Sequence, residues 1–156
     1  MNIVIQRVKH SKVEVNGRII GRIDCGLLVF LGVAKTDTQR DADYLVNKVV
    51  HLRIFRDEQG KMNCSALDIG AQFLVVSQFT IQCSCEKGRR PSFDKAADPE
   101  KGKELYHYFV EELKKCNLKV ETGEFGAMMD VHLVNDGPVT FIIDSIRVHG
   151  DGSVDK

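Results

Sequence analysis

The sequence predicts an α+β fold in a single domain, with antiparallel, barrel-like β-sheets and two main helices. Short β-rich apolar runs bounded by turn signals recur along the chain and indicate about seven strands. Two other stretches carry apolar residues at helical spacing and indicate the helices. The length of 156 residues suits one domain with one main core.

The N-terminal half predicts a strand, a hairpin, a buried strand and a helix, in that order. Residues 2–10 are β-rich and predict a strand. Asn16-Gly17, between arms of alternating apolar residues, is a strong hairpin signal. The apolar run over residues 26–33 predicts a buried strand. A helix is predicted from about residue 38 to residue 52, with an N-cap offered by the stretch Thr36-Asp37-Thr38.

The C-terminal half predicts mixed structure and ends in a polar tail. Its predicted elements are a turn at 57–60, a strand over 72–82, a polar loop over 82–97, a helix from Pro99, and strands over 119–121, 129–134 and 139–144. Residues 1–148 are therefore expected to form the domain. Residues 149–156, with the sequence HGDGSVDK, are expected to be disordered.

Composition and charge exclude several classes of protein. The chain carries 22 basic and 22 acidic residues, which argues against a strongly basic nucleic-acid coat but leaves room for a local basic patch. No apolar run is long enough to span a membrane. The N-terminal stretch MNIVIQRVKH lacks the apolar core of a signal peptide, so a cytoplasmic location is expected.

The cysteines and histidines predict neither a metal site nor a disulfide framework. The five cysteines are odd in number, and in a cytoplasmic protein they are expected to be free thiols. No second Cys or His pair lies at zinc-site spacing, so neither a metal nor another cofactor is expected. The close pair Cys83 and Cys85 is either redox-sensitive or two ordinary free thiols.

Two polar stretches next to apolar runs are candidates for a functional site. The run Phe73–Val76 passes without a turn signal into Ser77, Gln78 and Thr80, and each polar group costs free energy if it is buried unpaired. These side chains either bond the backbone of a loop or serve a site. The second stretch, residues 135–140 (NDGPVT), is a turn signal at the start of a strand.

Taken together, these two stretches resemble motifs of the D-aminoacyl-tRNA deacylase family, of the D-tyrosyl-tRNA deacylase type. Ser77-Gln78-Phe79-Thr80 resembles its SQFT motif, and Gly137-Pro138 resembles its Gly-cisPro motif. The resemblance runs from Met1 to about Ser145. Further matches are residues 4–8, 26–29, 31–33, 53–55, 61–63, 87–93 and 122–126. The chain departs from the family at Ile81, where Leu is usual, and in the stretch Gln82–Cys85.

The resemblance implies a barrel-like fold, a tight homodimer and hydrolysis of D-aminoacyl-tRNA to D-amino acid and tRNA. Ser77, Gln78, Phe79 and Thr80 would hold the aminoacyl ester while the RNA of the substrate assists its hydrolysis. Gly137-Pro138 would be cis and would enter the active site of the partner subunit, where it excludes L side chains. Glycyl-tRNA, with no side chain to exclude, would be a possible substrate. Apart from the resemblance, a trans turn is the ordinary expectation, since only about 5–6% of X–Pro bonds are cis.

The chemistry of an aminoacyl ester leaves the role of Thr80 open. The ester is activated, so the protein must mainly supply position and donors for the oxyanion. Backbone N–H groups near Gln78, Phe79 and Thr80 are candidates for those donors. Thr80 either orients the substrate or acts as a nucleophile, and the second role needs an adjacent base that the nearby sequence does not offer.

Supporting residues have two interpretations each. Gln6 and Arg7 are either surface residues or part of the site. In the second case, Arg7 would lock the Gly-Pro carbonyls in place by hydrogen bonds. Phe125 and Met129 either pack in the core or line the adenosine or aminoacyl pocket. The residues Lys87, Arg89 and Arg90 are either solvated loop charges or contacts to acceptor-stem phosphates.

Three functions therefore compete. The first is a deacylase, the second is a module that grips tRNA or DNA ends without catalysis, and the third is a relative with a trans Gly-Pro and another specificity. The intact motifs Ser77–Thr80 and 135–140 favour the first over the third.

Overall fold

A computed structural model describes residues 1–86 and 88–145 of the chain. The expected disordered tail at 149–156 and the predicted phosphate contact of Lys87 lie outside the described residues. The elements are β1 (Asn2–Val15), β2 (Arg18–Ile23), β3 (Gly26–Gly32), α1 (Gln39–His51), β4 (Phe55–Arg56), β5 (Met62–Cys64), α2 (Ala66–Ile69), β6 (Gln72–Ser77), a 3-10 helix (Phe79–Gln82), α3 (Pro99–Lys114), β7 (Val120–Thr122) and β8 (Asp130–Asp144).

The main sheet is six-stranded and nearly closes on itself. Its order is β2-β1-β3-β6-β7, and β8 pairs with β1. The edge strands β2 and β7 approach closely at Gly21, where an added Cβ would lie 2.4 Å from the carbonyl oxygen of Thr122. Because glycine lacks that atom, the two edges can approach each other and give the sheet its barrel shape.

Alternate residues of the strands divide the core in two. Leu28, Leu74 and Val76 belong to a cluster of residues buried within the barrel. Their neighbours Val29 and Phe73 belong to the larger cluster that packs against α1 and α3. The alternation explains why the sequence of β3 and β6 is apolar without interruption, since both faces of these strands are buried.

The N-terminal end of α1 is held by a buried polar network. The α-amino group of Met1 donates to Asp37 Oδ1 at 2.6 Å and to Ser145 Oγ at 2.8 Å. The Ser145 hydroxyl donates to Asp41 Oδ1 at 2.6 Å, and the Thr38 N–H donates to Asp41 Oδ2 at 2.8 Å. Burial raises the pKa of Asp41, but hydrogen bonds from Ser145 and Thr38 outweigh it, so the pKa of Asp41 is lowered overall.

The α+β class, the single barrel-like domain and the two main helices are confirmed. The pairing is mixed rather than antiparallel, because β6 runs parallel to both β3 and β7. Helix α2 is a single additional turn, with a Ser65 cap. No helix in the described part of the chain is long and apolar enough to cross a membrane.

Two predicted strand boundaries were wrong. The strand predicted over 72–82 ends at Ser77, and a 3-10 helix follows. The strands predicted over 129–134 and 139–144 form one strand, β8. In β8, residues 136–139 all lie opposite the single residue Arg7 of β1, so the NDGPVT stretch is a bulge rather than a corner between strands.

Candidate functional site

The SQFT stretch changes conformation at the end of β6. Ser77 ends the strand, and Gln78 has φ −144° and ψ 79° before the 3-10 helix begins at Phe79. The Gln78 N–H donates to the carbonyl of Leu31 at 2.8 Å, which ties the turn to β3. That N–H is thereby occupied, so the predicted oxyanion donors narrow to the N–H groups of Phe79 and Thr80.

Side chains of the same stretch pair with each other. The Gln78 side-chain amide donates to the hydroxyl oxygen of Thr80. An amide cannot accept the hydroxyl proton as a base would, so this contact orients Thr80 without activating it. Phe79 is 58% exposed and packs edge-on against Phe93, with ring centroids 5.1 Å apart.

A cleft of about 770 Å³ opens beside this stretch. All four residues from Ser77 to Thr80 line it, and so do the predicted pocket residues Phe125 and Met129. Residues about fifty positions apart in the sequence thus meet in one cavity. The other aromatic members of the lining are Phe93 and Tyr106.

Tyr106 is a buried residue in the lining of the cleft. It is 2% exposed, its hydroxyl donates to the carbonyl of Val75 at 2.8 Å, and its ring lies 5.7 Å from that of Phe125. Burial raises the pKa of Tyr106, so the phenol stays neutral at physiological pH. Tyr106 therefore connects α3 to β6 and supports Phe125.

The described lining of the cleft contains two ionisable side chains, Asp98 and Tyr106. The Asp98 carboxylate caps α3 by accepting from the N–H groups of Glu100 and Lys101 at 3.1 and 3.0 Å. The hydrogen bond from the Lys101 N–H is the main reason that the pKa of Asp98 is lowered. A carboxylate with a lowered pKa is a weak base, so the chemistry of this cleft depends on positioning and polar contacts.

Gly137 and Pro138 lie on the exposed bulge of β8 and do not line the cleft of their own chain. Gly137 has φ +96°, a conformation that favours glycine. The expected cis bond is not found: no peptide bond is cis within residues 1–86 and 88–145. The trans isomer is the intrinsically favoured form of an X–Pro bond, by about 0.5–1 kcal/mol.

Arg7 holds the bulge in place. Its side chain is 3% exposed and donates to the carbonyl of Ile54 and, at 3.2 Å, to the carbonyl of Asp136. The predicted lock on the Gly137 and Pro138 carbonyls is thus replaced by a bond to the carbonyl just before them. Asn135 assists, because its amide donates to the carbonyls of Arg7 and Val139 at 2.9 and 3.0 Å.

The remaining predicted site residues lie away from the cleft. Gln6 makes a long contact of 3.4 Å from its amide to the Thr140 hydroxyl, beside the bulge. Arg89 and Arg90 are exposed in the loop after the 3-10 helix and do not line the cleft. Among the residues that the structure describes, no three His, Cys, Asp or Glu side chains cluster in a way that could hold a metal ion.

Comparison with known proteins shows the family of this chain. Residues 4–144 match the family model described as D-Tyr-tRNA(Tyr) deacylase. The chain belongs to the D-Tyr-tRNA(Tyr) deacylase family. One relative, the D-aminoacyl-tRNA deacylase of Thermosipho melanesiensis, is 60% identical over 149 residues, which cover 95% of this chain and 99% of the relative.

Solved structures agree with membership in this deacylase family. A structure of the c-Myc DNA Unwinding Element Binding Protein matches with a TM-score of 0.87 and 41% identity, covering 92% of this chain and 98% of that chain. A second, described as a probable eukaryotic D-amino acid tRNA deacylase, matches with a TM-score of 0.79 at 17% identity, covering 91% and 97%. The second match supports the fold alone.

Three residues in or near the site were not predicted from the sequence. Phe93 lies in a matched stretch, but no pattern indicated its contact with Phe79. Tyr106 follows Leu105, one of the apolar residues whose spacing predicted α3. Nothing in the sequence indicated that the Tyr106 side chain would line a cleft. Arg56 approaches the bulge, since its Nη2 lies 3.4 Å from the position of a Cβ on Gly137.

Proposed function

We propose that this chain hydrolyses the ester bond of D-aminoacyl-tRNA, releases free D-amino acid and tRNA, and so proofreads chirality in translation. Its family membership makes it a hydrolase that acts on aminoacyl-tRNA. The observation that carries the proposal is the single cleft in which the SQFT residues face Phe125 and Met129. A volume of about 770 Å³ suits an aminoacylated adenosine, which is of the size that pockets in proteins usually hold.

The hydrolysis depends on the substrate more than on a protein base. The ionisable lining residues Asp98 and Tyr106 are respectively a weak base and a neutral phenol at physiological pH. The vicinal hydroxyl of the terminal ribose assists, and the Phe79 and Thr80 N–H groups receive the oxyanion. In this scheme Thr80 orients the substrate through its contact with Gln78.

The bulge of β8 completes the site of a second subunit in a homodimer. Gly137 and Pro138 are exposed and outside their own cleft, so they are free to enter the cleft of a partner. Strand β8 also exposes Val134, Phe141 and Ile142, which are 41%, 37% and 76% exposed. Burial of such apolar side chains between subunits would stabilise the dimer.

The bulge discriminates by steric exclusion. Backbone atoms of Gly137 and Pro138 occupy the side where an L side chain would lie, so L-aminoacyl esters do not bind. Glycyl-tRNA has no side chain on either side and is accepted. The trans Gly137–Pro138 bond is also the form named in the third hypothesis, and the ratio of D- to L-ester hydrolysis separates the two functions.

Two exposed arginines offer the tRNA a contact outside the cleft. Arg89 and Arg90 are exposed in the loop after the 3-10 helix, and in this proposal they contact the phosphates of the acceptor stem. A function in translation places the protein in the cytoplasm.

The competing function is nucleic-acid binding without catalysis. The name of one structural relative, a DNA unwinding element binding protein with 41% identity, favours it. Multiple turnover separates the two: a deacylase releases many equivalents of D-tyrosine from D-tyrosyl-tRNA, whereas a binding module protects the ester stoichiometrically. Absence of turnover with retained tRNA binding would reject the deacylase.

Complementation tests the proposal that the bulge of one subunit completes the cleft of the other. A Gly137→Trp variant keeps its own SQFT stretch, and a Gln78→Ala variant keeps its own bulge. Random mixing of the two should restore about a quarter of the wild-type sites, because half the dimers are mixed and one of their two sites is intact. If each variant alone is inactive and the mixture is too, the bulge does not act across subunits.

A further inference from the structure

Cys83 and Cys85 form a pair of exposed thiols directly after the 3-10 helix. Their sulfur atoms lie 3.9 Å apart, and the described structure holds both as free cysteines. They flank Ser84, whose N–H and carbonyl both pair with Ser92 at 2.8 and 2.9 Å. In such an extended segment, residues two apart point to the same side, which explains why the two thiols face each other.

We propose that Cys83 and Cys85 are a reversible oxidation site, at which a disulfide forms and alters the substrate cleft. The effect on the cleft rests on the proposed function, whereas the disulfide itself does not. The oxidant is a small disulfide of the glutathione type. The contact between the two sulfur atoms allows a disulfide to form, and the hydrogen bonds around the pair determine which part of the backbone moves.

The exchange proceeds in two steps. The Cys83 thiolate attacks one sulfur of oxidised glutathione, breaks its S–S bond and releases one glutathione thiolate. Cys85 then loses its proton to water and attacks the Cys83 sulfur, which releases the second glutathione thiolate. Two protein thiols are oxidised to one disulfide, and one glutathione disulfide is reduced to two thiols.

The order of attack follows from the contact between the thiols. The hydrogen bond with Cys83, followed by its charge, raises the pKa of the Cys85 thiol. Cys85 therefore loses its proton less readily than an unperturbed cysteine does. Since the thiolate is the nucleophile, the first attack falls to Cys83.

Closing the disulfide requires the backbone to move. The two sulfurs must approach from 3.9 Å to about 2.05 Å. The Cα atoms of an extended three-residue segment lie roughly 6.6–7.2 Å apart, which is well above the separation of about 5.5–6 Å that is commonest in disulfides. The backbone at Ser84 must therefore contract.

The upstream side of the pair is fixed, so the movement passes downstream. The Gln82 side chain is buried and donates to the carbonyl of Gly32 at 2.7 Å. The Cys83 N–H donates to the carbonyl of Thr80 at 3.1 Å. Contraction at Ser84 instead weakens the pairing with Ser92, whose neighbour Phe93 lines the cleft.

Phe93 links the oxidation site to the substrate. Its ring packs 5.1 Å from that of Phe79, between the loop and the SQFT stretch. When the Ser84–Ser92 pairing is lost, Phe93 leaves this position and the cleft loses one of its aromatic walls. The oxidised protein should therefore hydrolyse its substrate roughly tenfold more slowly, the order expected when about one contact is lost.

The test is equilibration of the whole protein in glutathione buffers of graded redox potential, followed by alkylation, digestion and mass analysis. A protease that cuts after acidic residues separates Cys64 from the pair, because Asp68 lies between them. We expect the oxidised peptide with Cys83 and Cys85 to escape alkylation and to be two hydrogen atoms lighter than its free dithiol form, whereas after dithiothreitol both of its cysteines should be alkylated. Separate glutathione adducts on the two cysteines, a disulfide between chains, or persistent free thiols would each overturn the proposal.

Two variants separate the site from general oxidation. Cys85→Ser should keep its basal rate on D-tyrosyl-tRNA and lose the response to oxidant, whereas Cys25→Ser, which removes another exposed thiol, should keep the response. An internal disulfide with an unchanged rate would reject the link to the cleft. If the reduced protein shows no deacylation, the proposed function fails, and the peptide masses still decide whether the disulfide forms.

Discussion

The Nη2 atom of Arg7 lies 3.2 Å from the backbone carbonyl oxygen of Asp136, and its Nε lies 3.0 Å from the carboxylate of the same residue. The Nε makes no directed hydrogen bond, so the second contact is an ion pair. One nearly buried guanidinium thus holds a four-residue bulge in which Gly137 and Pro138 are exposed. The position of Gly137 and Pro138 therefore depends on Arg7.

Replacing Arg7 should release the bulge. Arg7→Met leaves Asp136 without its ion pair and the carbonyl of Ile54 without its donor, so the free energy of unfolding should fall by about 2–3 kcal/mol. Denaturant unfolding measures it, with Arg22→Met as the control, because Arg22 is exposed on β2. Equal stability of both variants would show that Arg7 does not hold the bulge.

Gly137→Ala should reduce the discrimination between D and L substrates or impair binding. The new Cβ would lie 2.6 Å from the Arg7 Nη2, so either the bulge or the arginine must move. Gly17→Ala is a matched control, since Gly17 also has a positive φ (+77°) and has no atom within 4 Å of the added Cβ. The readout is the ratio of hydrolysis rates of D- and L-tyrosyl-tRNA. A ratio and a D-rate that both match wild type would exclude a role for Gly137 in specificity.

Thr80→Val should leave substantial activity, within about tenfold of wild type, because the hydroxyl orients the substrate rather than attacking it. Thr80→Ser, which keeps the contact with Gln78, should retain more. Single-turnover hydrolysis of D-tyrosyl-tRNA gives the comparison. A complete loss in a folded, tRNA-binding Thr80→Val protein would restore Thr80 as the nucleophile.

Gly21→Ala should destabilise the barrel. Its Cβ would meet the Thr122 carbonyl oxygen at 2.4 Å, and overpacking of this kind costs about 1–3 kcal/mol. Gly102→Ala in α3 is the contrasting control, because its nearest neighbour, in Phe125, is 3.6 Å away and alanine favours the helix by about 0.8–1 kcal/mol. Thermal unfolding should move in opposite directions for the two. A Gly21→Ala protein as stable as wild type would mean that the sheet edges do not meet there.

Acid should weaken the cap of α1 through Asp41. The folded-state pKa of Asp41 is lowered, so its contribution is fully present above the ordinary Asp pKa and is lost as the pH falls through the lowered value. Asp41→Asn should cost about 1 kcal/mol at neutral pH and should show a smaller loss of stability on acidification than wild type. Denaturant midpoints across this range provide the test, and parallel curves for the two proteins would contradict it.

Local patterns predicted those features that local forces determine. The Asn16-Gly17 hairpin, the apolar strands and the helices follow from propensity and periodicity, and the SQFT and Gly-Pro motifs indicated the family. The bulge opposite Arg7 was not predictable, because its register is set by pairing with β1 more than a hundred residues away. The parallel partners of β6 and the contact between Phe79 and Phe93 depend in the same way on distant segments.

The most direct test of the central claim compares D-tyrosyl-tRNA with L-tyrosyl-tRNA at catalytic amounts of the reduced protein. We predict that the D-ester is lost over many turnovers while the L-ester decays at its spontaneous rate. Equal hydrolysis of both esters, or preference for the L-ester, would contradict the chiral role of the bulge. Loss of neither, with tRNA still bound, would leave a nucleic-acid-binding protein on a deacylase fold.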